Sequence, residues 1–148
     1  MNNDSLVGKN IIITGASQGL GEYCAIQMSK QGGNVALIAR NIDNLNRVLR
    51  ECDGSNNIAV QMDITINKES KSGVNKIVNH FKGKIDSVIH CAGGGLGFRD
   101  PLIDFDDFIK LFSTNLAGQS FINREIIPLM KKNHNGNIVH VSSVASRE

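Results

Sequence analysis

Residues Asn10-Ile11-Ile12-Ile13-Thr14-Gly15-Ala16-Ser17-Gln18-Gly19-Leu20-Gly21 pass from a β-branched apolar run directly into three glycines. The run reads as a strand buried on both faces, and the segment from 19 to 31 as a helix. In a strand–turn–helix of this kind, Gly15 lets the chain leave the strand sharply. Gly19 lets backbone approach a diphosphate with no side chain in the way, and Gly21 lets helix pack closely on strand. The unpaired N–H groups and the positive end of the helix then face an anion. A glycine triplet alone also fits a purely structural turn.

Outward from this stretch, short apolar runs alternate with amphipathic ones. Residues 34–39, 58–62, 85–91 and 137–142 read as further strands. Residues 42–51 and 68–81 read as helices, with Leu45, Val48 and Leu49 on one stripe and Val74, Ile77, Val78 and Phe81 on the other. In the first helix Leu20, Ala25, Ile26 and Met28 are expected on the inner face. Residues 106–132 fit one long helix or two. The order β-α-β-α-β-α-β-α-β predicts an α/β fold: a doubly wound parallel Rossmann sheet with helices on both faces, in a single domain over residues 1–148.

Composition narrows the class. The net charge is +2, and the one adjacent basic pair is Lys131-Lys132, so no nucleic-acid or anionic-membrane surface is expected. The N-terminus is polar, and no apolar stretch nears the roughly 18 residues of a membrane span. Three widely spaced cysteines, Cys24, Cys52 and Cys91, fit neither a disulfide framework nor a zinc site, and a cytoplasmic setting is expected. His80, His134 and His140 lack ligand spacing, and Asp104, Asp106 and Asp107 read as solvated charge at a helix start, so no metal is expected.

The spacing T-G-x-x-x-G-x-G over Thr14 to Gly21 resembles the nucleotide motif of the short-chain dehydrogenase/reductase family. Four further segments match that family in order: Asp63-Ile64-Thr65, His90-Cys91-Ala92-Gly93, Asn115-Leu116-Ala117-Gly118 and Val141-Ser142-Ser143. The resemblance spans essentially the whole chain and includes the 3-oxoacyl-reductase-like branch. It implies that Gly15, Ser17, Gln18, Gly19, Leu20, Gly21, Arg40, Asp63, Ile64, Cys91, Ala92 and Gly93 bind a nicotinamide dinucleotide, with Asp63 at the adenine ring. It implies Ser143 as the catalytic serine, with Ser142 turned to the other side. It also implies Asn115 as a buried amide bonded to backbone and to a proton-relay water.

Two departures stand out. His90 and Cys91 replace the family's usual pair of Asn. The family's Tyr-x-x-x-Lys pair, expected about a dozen residues after the Ser, is absent, and Tyr23 in the first helix cannot replace it. The chain is therefore expected to lack the C-terminal part of the fold and to be inactive as it stands, with its fifth strand an uncovered edge.

Where NAD-binding relatives carry an acid after the second strand, this chain has Ala39 and then Arg40. An arginine there suits a 2′-phosphate, so NADP(H) is the preferred cofactor, with NAD(H) also possible. The implied activity is hydride transfer between nicotinamide and a small-molecule carbonyl/alcohol substrate, in a homo-oligomeric parent protein. A non-catalytic nucleotide-binding fragment is the alternative. A methyltransferase on a related sheet is disfavoured by Thr14 and by the Asn115 and Ser143 segments.

Overall fold

The computed structural model describes residues 5–98 and 102–143; the polar residues 1–4 lie outside them. The elements run β1 (Asn10–Thr14), α1 (Gly19–Lys30), β2 (Asn34–Ala39), α2 (Ile42–Glu51), β3 (Ile58–Gln61), α3 (Asn67–His80), β4 (Ser87–His90), α4 (Phe105–Phe112), a π-helical turn (Ser113–Ala117), α5 (Gly118–Lys132) and β5 (Asn137–His140). All five strands are parallel, in the order β3-β2-β1-β4-β5. The order reverses between β1 and β4, and in open α/β sheets that reversal opens a crevice outside the carboxyl ends of the strands.

Side chains that alternate along each strand feed two cores. Ile11, Ile13, Val35, Leu37 and Ile89 pack against Ala25 of α1 and Leu45 and Val48 of α2. Ile12, Ile38, Val60 and Val88 pack on the other face against Val74 and Ile77 of α3 and Ile122, Ile126 and Met130 of α5. The expected doubly wound sheet is therefore present. β5 forms one edge, where Val139 is 48% exposed.

Two expectations need correction. Leu20 does not face inward; it is 52% exposed, because Gly21 and Ala25 provide the contact side of α1. The segment after residue 104 is neither one regular helix nor two separate ones. Asp104 caps α4 by accepting a hydrogen bond from the N–H of Asp107 (2.8 Å), and α4 runs through the five-residue π turn into α5. Gly118, the first residue of α5, lies against the Ile64 backbone, where a Cβ would stand 2.8 Å from the Ile64 oxygen.

Candidate functional site

A cavity of about 420 Å³ opens at the carboxyl ends of β1, β2, β3 and β4. All twelve residues expected to hold a dinucleotide line it. Gly15, Ser17, Gln18, Gly19, Leu20 and Gly21 come from the β1–α1 turn, and Arg40 follows β2. Asp63 and Ile64 follow β3, and Cys91, Ala92 and Gly93 follow β4. The topology thus gathers four sequence-distant segments at the switch point.

The glycine turn is shaped by contact. Gly15 has φ +67°, and a Cβ on it would stand 2.8 Å from the nitrogen of Ala92. At Gly19, φ +59°, a Cβ would meet nothing within 4 Å, so this residue faces open space. Gln18 precedes α1 with no side-chain cap, which leaves first-turn N–H groups of the helix toward the cavity. From α2, Arg47 grips Glu22 with two bonds (2.7 and 2.8 Å) and reaches the carbonyl of Ser17 (3.3 Å). That pairing holds the Glu22 carboxyl below its ordinary range, the hydrogen bond from Arg47 being the main cause.

Around the rim, Arg40 is exposed, and among the described residues no carboxylate pairs with it. Asp63 accepts from both the N–H (2.9 Å) and the hydroxyl (2.7 Å) of Thr65, forming an Asx turn that fixes the cavity wall after β3. Ile64 is itself buried in the core. Burial and the neighbouring Cys24 push the Cys91 thiol up to about 11, so it is a neutral wall at physiological pH.

Asn115 and Ser143 are not among the cavity-lining residues. Asn115 is exposed rather than buried, but it does bind backbone. It accepts from the N–H of Gly94 (2.7 Å) and donates to the carbonyls of Gly94 (3.0 Å) and Leu111 (2.9 Å). Single π turns of this kind recur at functional sites. This one sets the amide against the glycine loop, where a Cβ on Gly93 would stand 2.5 Å from Asn115 Oδ1. Ser143 is exposed, and β5 ends at His140, so strand alternation does not govern where Ser142 and Ser143 point.

Sequence reasoning missed Asn41, Asn44, Leu96 and Thr114, which also line the cavity. Asn41 had a signal: it stands three residues before Asn44 at a helix start, and it caps α2 by accepting from that N–H (2.9 Å). Among the described residues no group of His, Cys, Asp and Glu could hold a metal, and no helix is long and apolar enough to cross a membrane.

His90, in place of the family's first Asn, is fully buried. Its Nε2 bonds Asn123 Oδ1 (2.8 Å), and its ring stacks on His140 with centroids 4.7 Å apart. Burial pulls its pKa below the ordinary value of about 6.5; His140 adds to this, and the Asn123 bond opposes it. The unfolded chain therefore takes up this proton at a higher pH than the folded one. The His90 contribution to folding stability is full above about pH 6.5 and is lost as pH drops below it, by at most about 1.4 kcal/mol per pH unit. Calorimetric melts should show this acid slope, and His90→Asn should flatten it. An unchanged slope would remove His90 as its source.

The short chain dehydrogenase family model matches residues 9–148. Mouse (Mus musculus) 3-ketodihydrosphingosine reductase is 30% identical over 97% of this chain and 45% of its own length. An NADP-dependent 3-hydroxy acid dehydrogenase of Schizosaccharomyces pombe is 30% identical over 97% of this chain and 57% of its own length. A solved 7α-hydroxysteroid dehydrogenase, complexed with NADH and 7-oxo glycochenodeoxycholic acid, superposes with a TM-score of 0.90 at 29% identity, covering 99% of this chain and 58% of that one. The chain spans about half the length of these relatives. On the family match and the shared sheet, the chain belongs to the short-chain dehydrogenase family.

Proposed function

We propose that the cavity binds NADP(H), and NAD(H) more weakly, as the nucleotide-binding half of an oxidoreductase acting on a carbonyl/alcohol substrate. One observation carries this reading: the β1–α1 turn, Arg40, the Asp63–Thr65 turn and the Cys91–Gly93 loop line one cavity at the strand-order reversal. The relatives support either cofactor, since one is named as NADP-dependent and another was solved with NADH.

The residues suit the ligand. The uncapped first turn of α1 and the open side of Gly19 leave room and donors for a diphosphate. Arg40 meets the 2′-phosphate, and the Asp63–Thr65 turn borders the adenine. Bound nicotinamide supplies or accepts a hydride. Asn115 holds the loop at Gly94 in place, and Ser143 orients the substrate oxygen by hydrogen bonding.

Residues 1–148 contain one tyrosine, Tyr23, which is 62% exposed on α1, and no Tyr-x-x-x-Lys pair to move the proton. This is the observation that favours the second reading, a nucleotide binder without turnover. Phe105, Phe108, Ile109, Phe112 and Leu116 form an exposed apolar stripe along α4 and the π turn. It supports a homo-oligomer, because apolar patches of this kind mark interfaces. Three free thiols suit a reducing cytoplasm.

Calorimetric titration tests the reading. Saturable binding of NADP+ is expected, with none of S-adenosylmethionine; failure of both NADP+ and NAD+ to bind would sink it. Residues 1–148 alone should oxidise no NADPH with any ketone, and steady turnover in a contaminant-free preparation would show that another group supplies the proton.

A further inference from the structure

We propose that Gln119 is a positioning residue that, held by His140, fixes the carbonyl of Ala92 at the wall of the nucleotide cavity. The proposal rests on the dinucleotide reading above.

The Ala92 peptide groups are held from both sides. The N–H donates to the hydroxyl of Thr14 (3.1 Å), and the carbonyl accepts from Nε2 of Gln119 (3.0 Å). Thr14 is fully buried on the central strand β1. Gln119 is 5% exposed, and it follows Gly118, where α5 lies against the Ile64 backbone.

A glutamine amide can present either end. Here the Ala92 carbonyl fixes the choice, because it can only accept: Nε2 of Gln119 faces it, and Oε1 is left 2.6 Å from Nδ1 of His140. His140 is the register partner of His90 across β4 and β5. Nε2 of His140 faces Nδ2 of Asn123 (3.4 Å), while Oδ1 of Asn123 faces Nε2 of His90 (2.8 Å). These contacts form one donor chain. His90 donates to Asn123, Asn123 to His140, His140 to Gln119, and Gln119 to Ala92. Each of these links then pairs one donor with one acceptor, while Nδ1 of His90 is left buried with no partner among the described residues. Turning the Gln119 amide would set its oxygen against the Ala92 carbonyl, two acceptors face to face. Networks of this kind hold their members in a single arrangement.

Without the Gln119 donor, the Ala92 carbonyl would need another partner. The simplest way to find one is to rotate the Ala92–Gly93 peptide, which moves the Cys91–Gly93 wall of the cavity. Gln119 itself does not line the cavity, so its effect on nucleotide must pass through Ala92.

Two variants of the full chain test this. Gln119→Met keeps the length of the side chain and removes both bonds. It should bind NADP+ and NAD+ roughly three- to tenfold more weakly, both alike, as expected for one lost hydrogen bond. Gln119→Glu keeps an acceptor for His140 but sets a carboxylate oxygen against the Ala92 carbonyl. When protonated, the introduced carboxyl is isosteric with the amide and donates again. The titratable groups of this network are His140 on β5 and His90 on β4; Arg124, on α5 beyond Asn123, is exposed.

NAD+ serves for the pH comparison because it lacks a 2′-phosphate that titrates. Relative to wild type at each pH, Gln119→Glu should bind NAD+ several-fold more weakly near about pH 8 and recover to within about twofold near about pH 4, below the ordinary glutamic acid value of about 4.3. A purely structural role would not produce that acid recovery. If Gln119→Met does not fold, the Gln119→Glu comparison decides alone. Unchanged affinity alongside a lowered melting temperature, or an equal loss at both pH values, overturns the proposal. Wild type that binds neither dinucleotide overturns the cavity reading, and this proposal with it.

Discussion

Gly21→Ala is expected to destabilise the protein by about 1–3 kcal/mol or more, whereas Gly19→Val is expected to keep the fold and lose the nucleotide. The two glycines stand two residues apart in one turn, and the difference lies in what their missing side chains would meet. At Gly21 a Cβ would overlap the Gly15 oxygen, with the Gly15 carbonyl carbon at 2.7 Å and Ala16 Cα at 3.1 Å. Those are backbone atoms of the tight turn, which cannot yield as a flexible side chain would. Alanine gains at most about 1 kcal/mol of helix propensity over glycine, so the clash wins. At Gly19 a Cβ would meet nothing within 4 Å, and the main cost is φ +59°, about 1–2 kcal/mol for an ordinary L-residue and more for β-branched valine. That is a fraction of the roughly 5–15 kcal/mol that holds a domain together. The valine side chain would occupy the open side of the turn, where the proposed dinucleotide would set its diphosphate. Losing one or two charge-assisted bonds to backbone N–H groups should weaken NADP+ by about a hundredfold or more. Thermal melts and calorimetry on the two variants check both halves. Gly19→Val binding NADP+ like wild type would remove this turn from the site.

The fold was legible because its signals are local and repeated. Apolar runs such as Ile11–Ile13 and Val35–Ile38 are continuous, since both faces of each strand are covered, and the glycines carried position-specific meaning. What escaped depended on partners distant in sequence. Leu20 looked like a core residue, yet the close approach of Gly21 to Gly15 turns the apolar side of α1 elsewhere. His90 read only as a departure from a family pattern. Its burial and its link through Asn123 to His140 and Gln119 arise because β5 pairs with β4 and α5 packs over that end of the sheet. The π turn was hidden too, because nothing in Ser113 to Ala117 breaks a helical pattern. Asn115 was named from its motif, while its partner in the structure, the backbone of Gly94, carries no side-chain signal. Ser143 keeps its sequence motif, but β5 ends three residues earlier, so the strand does not set its direction.

The proposed preference for NADP(H) turns on Arg40. The residue follows β2 at the rim of the cavity, exposed, and among the described residues no carboxylate competes for its guanidinium. Ala39 before it carries no group that could accept bonds from both ribose hydroxyls of NAD(H). A 2′-phosphate near neutral pH bears about −1.5 to −2 charges, and a planar guanidinium can bind it with paired hydrogen bonds. Such a bond contributes about 1.5–3 kcal/mol, roughly ten- to a hundredfold in affinity. Exposure to water and salt places the rim toward the lower end of that range. Arg40→Ala should therefore weaken NADP(H) by about tenfold or more and leave NAD(H) nearly unchanged, whereas the glycine-turn and Gln119 variants should weaken both alike. Raising the salt should narrow the wild-type preference and have little effect in the variant. The four dissociation constants, wild type and Arg40→Ala with each dinucleotide, decide the matter. Equal wild-type affinity for the two, or equal weakening of both by the substitution, would detach Arg40 from the 2′-phosphate and leave the cavity without a basis for preferring NADP(H).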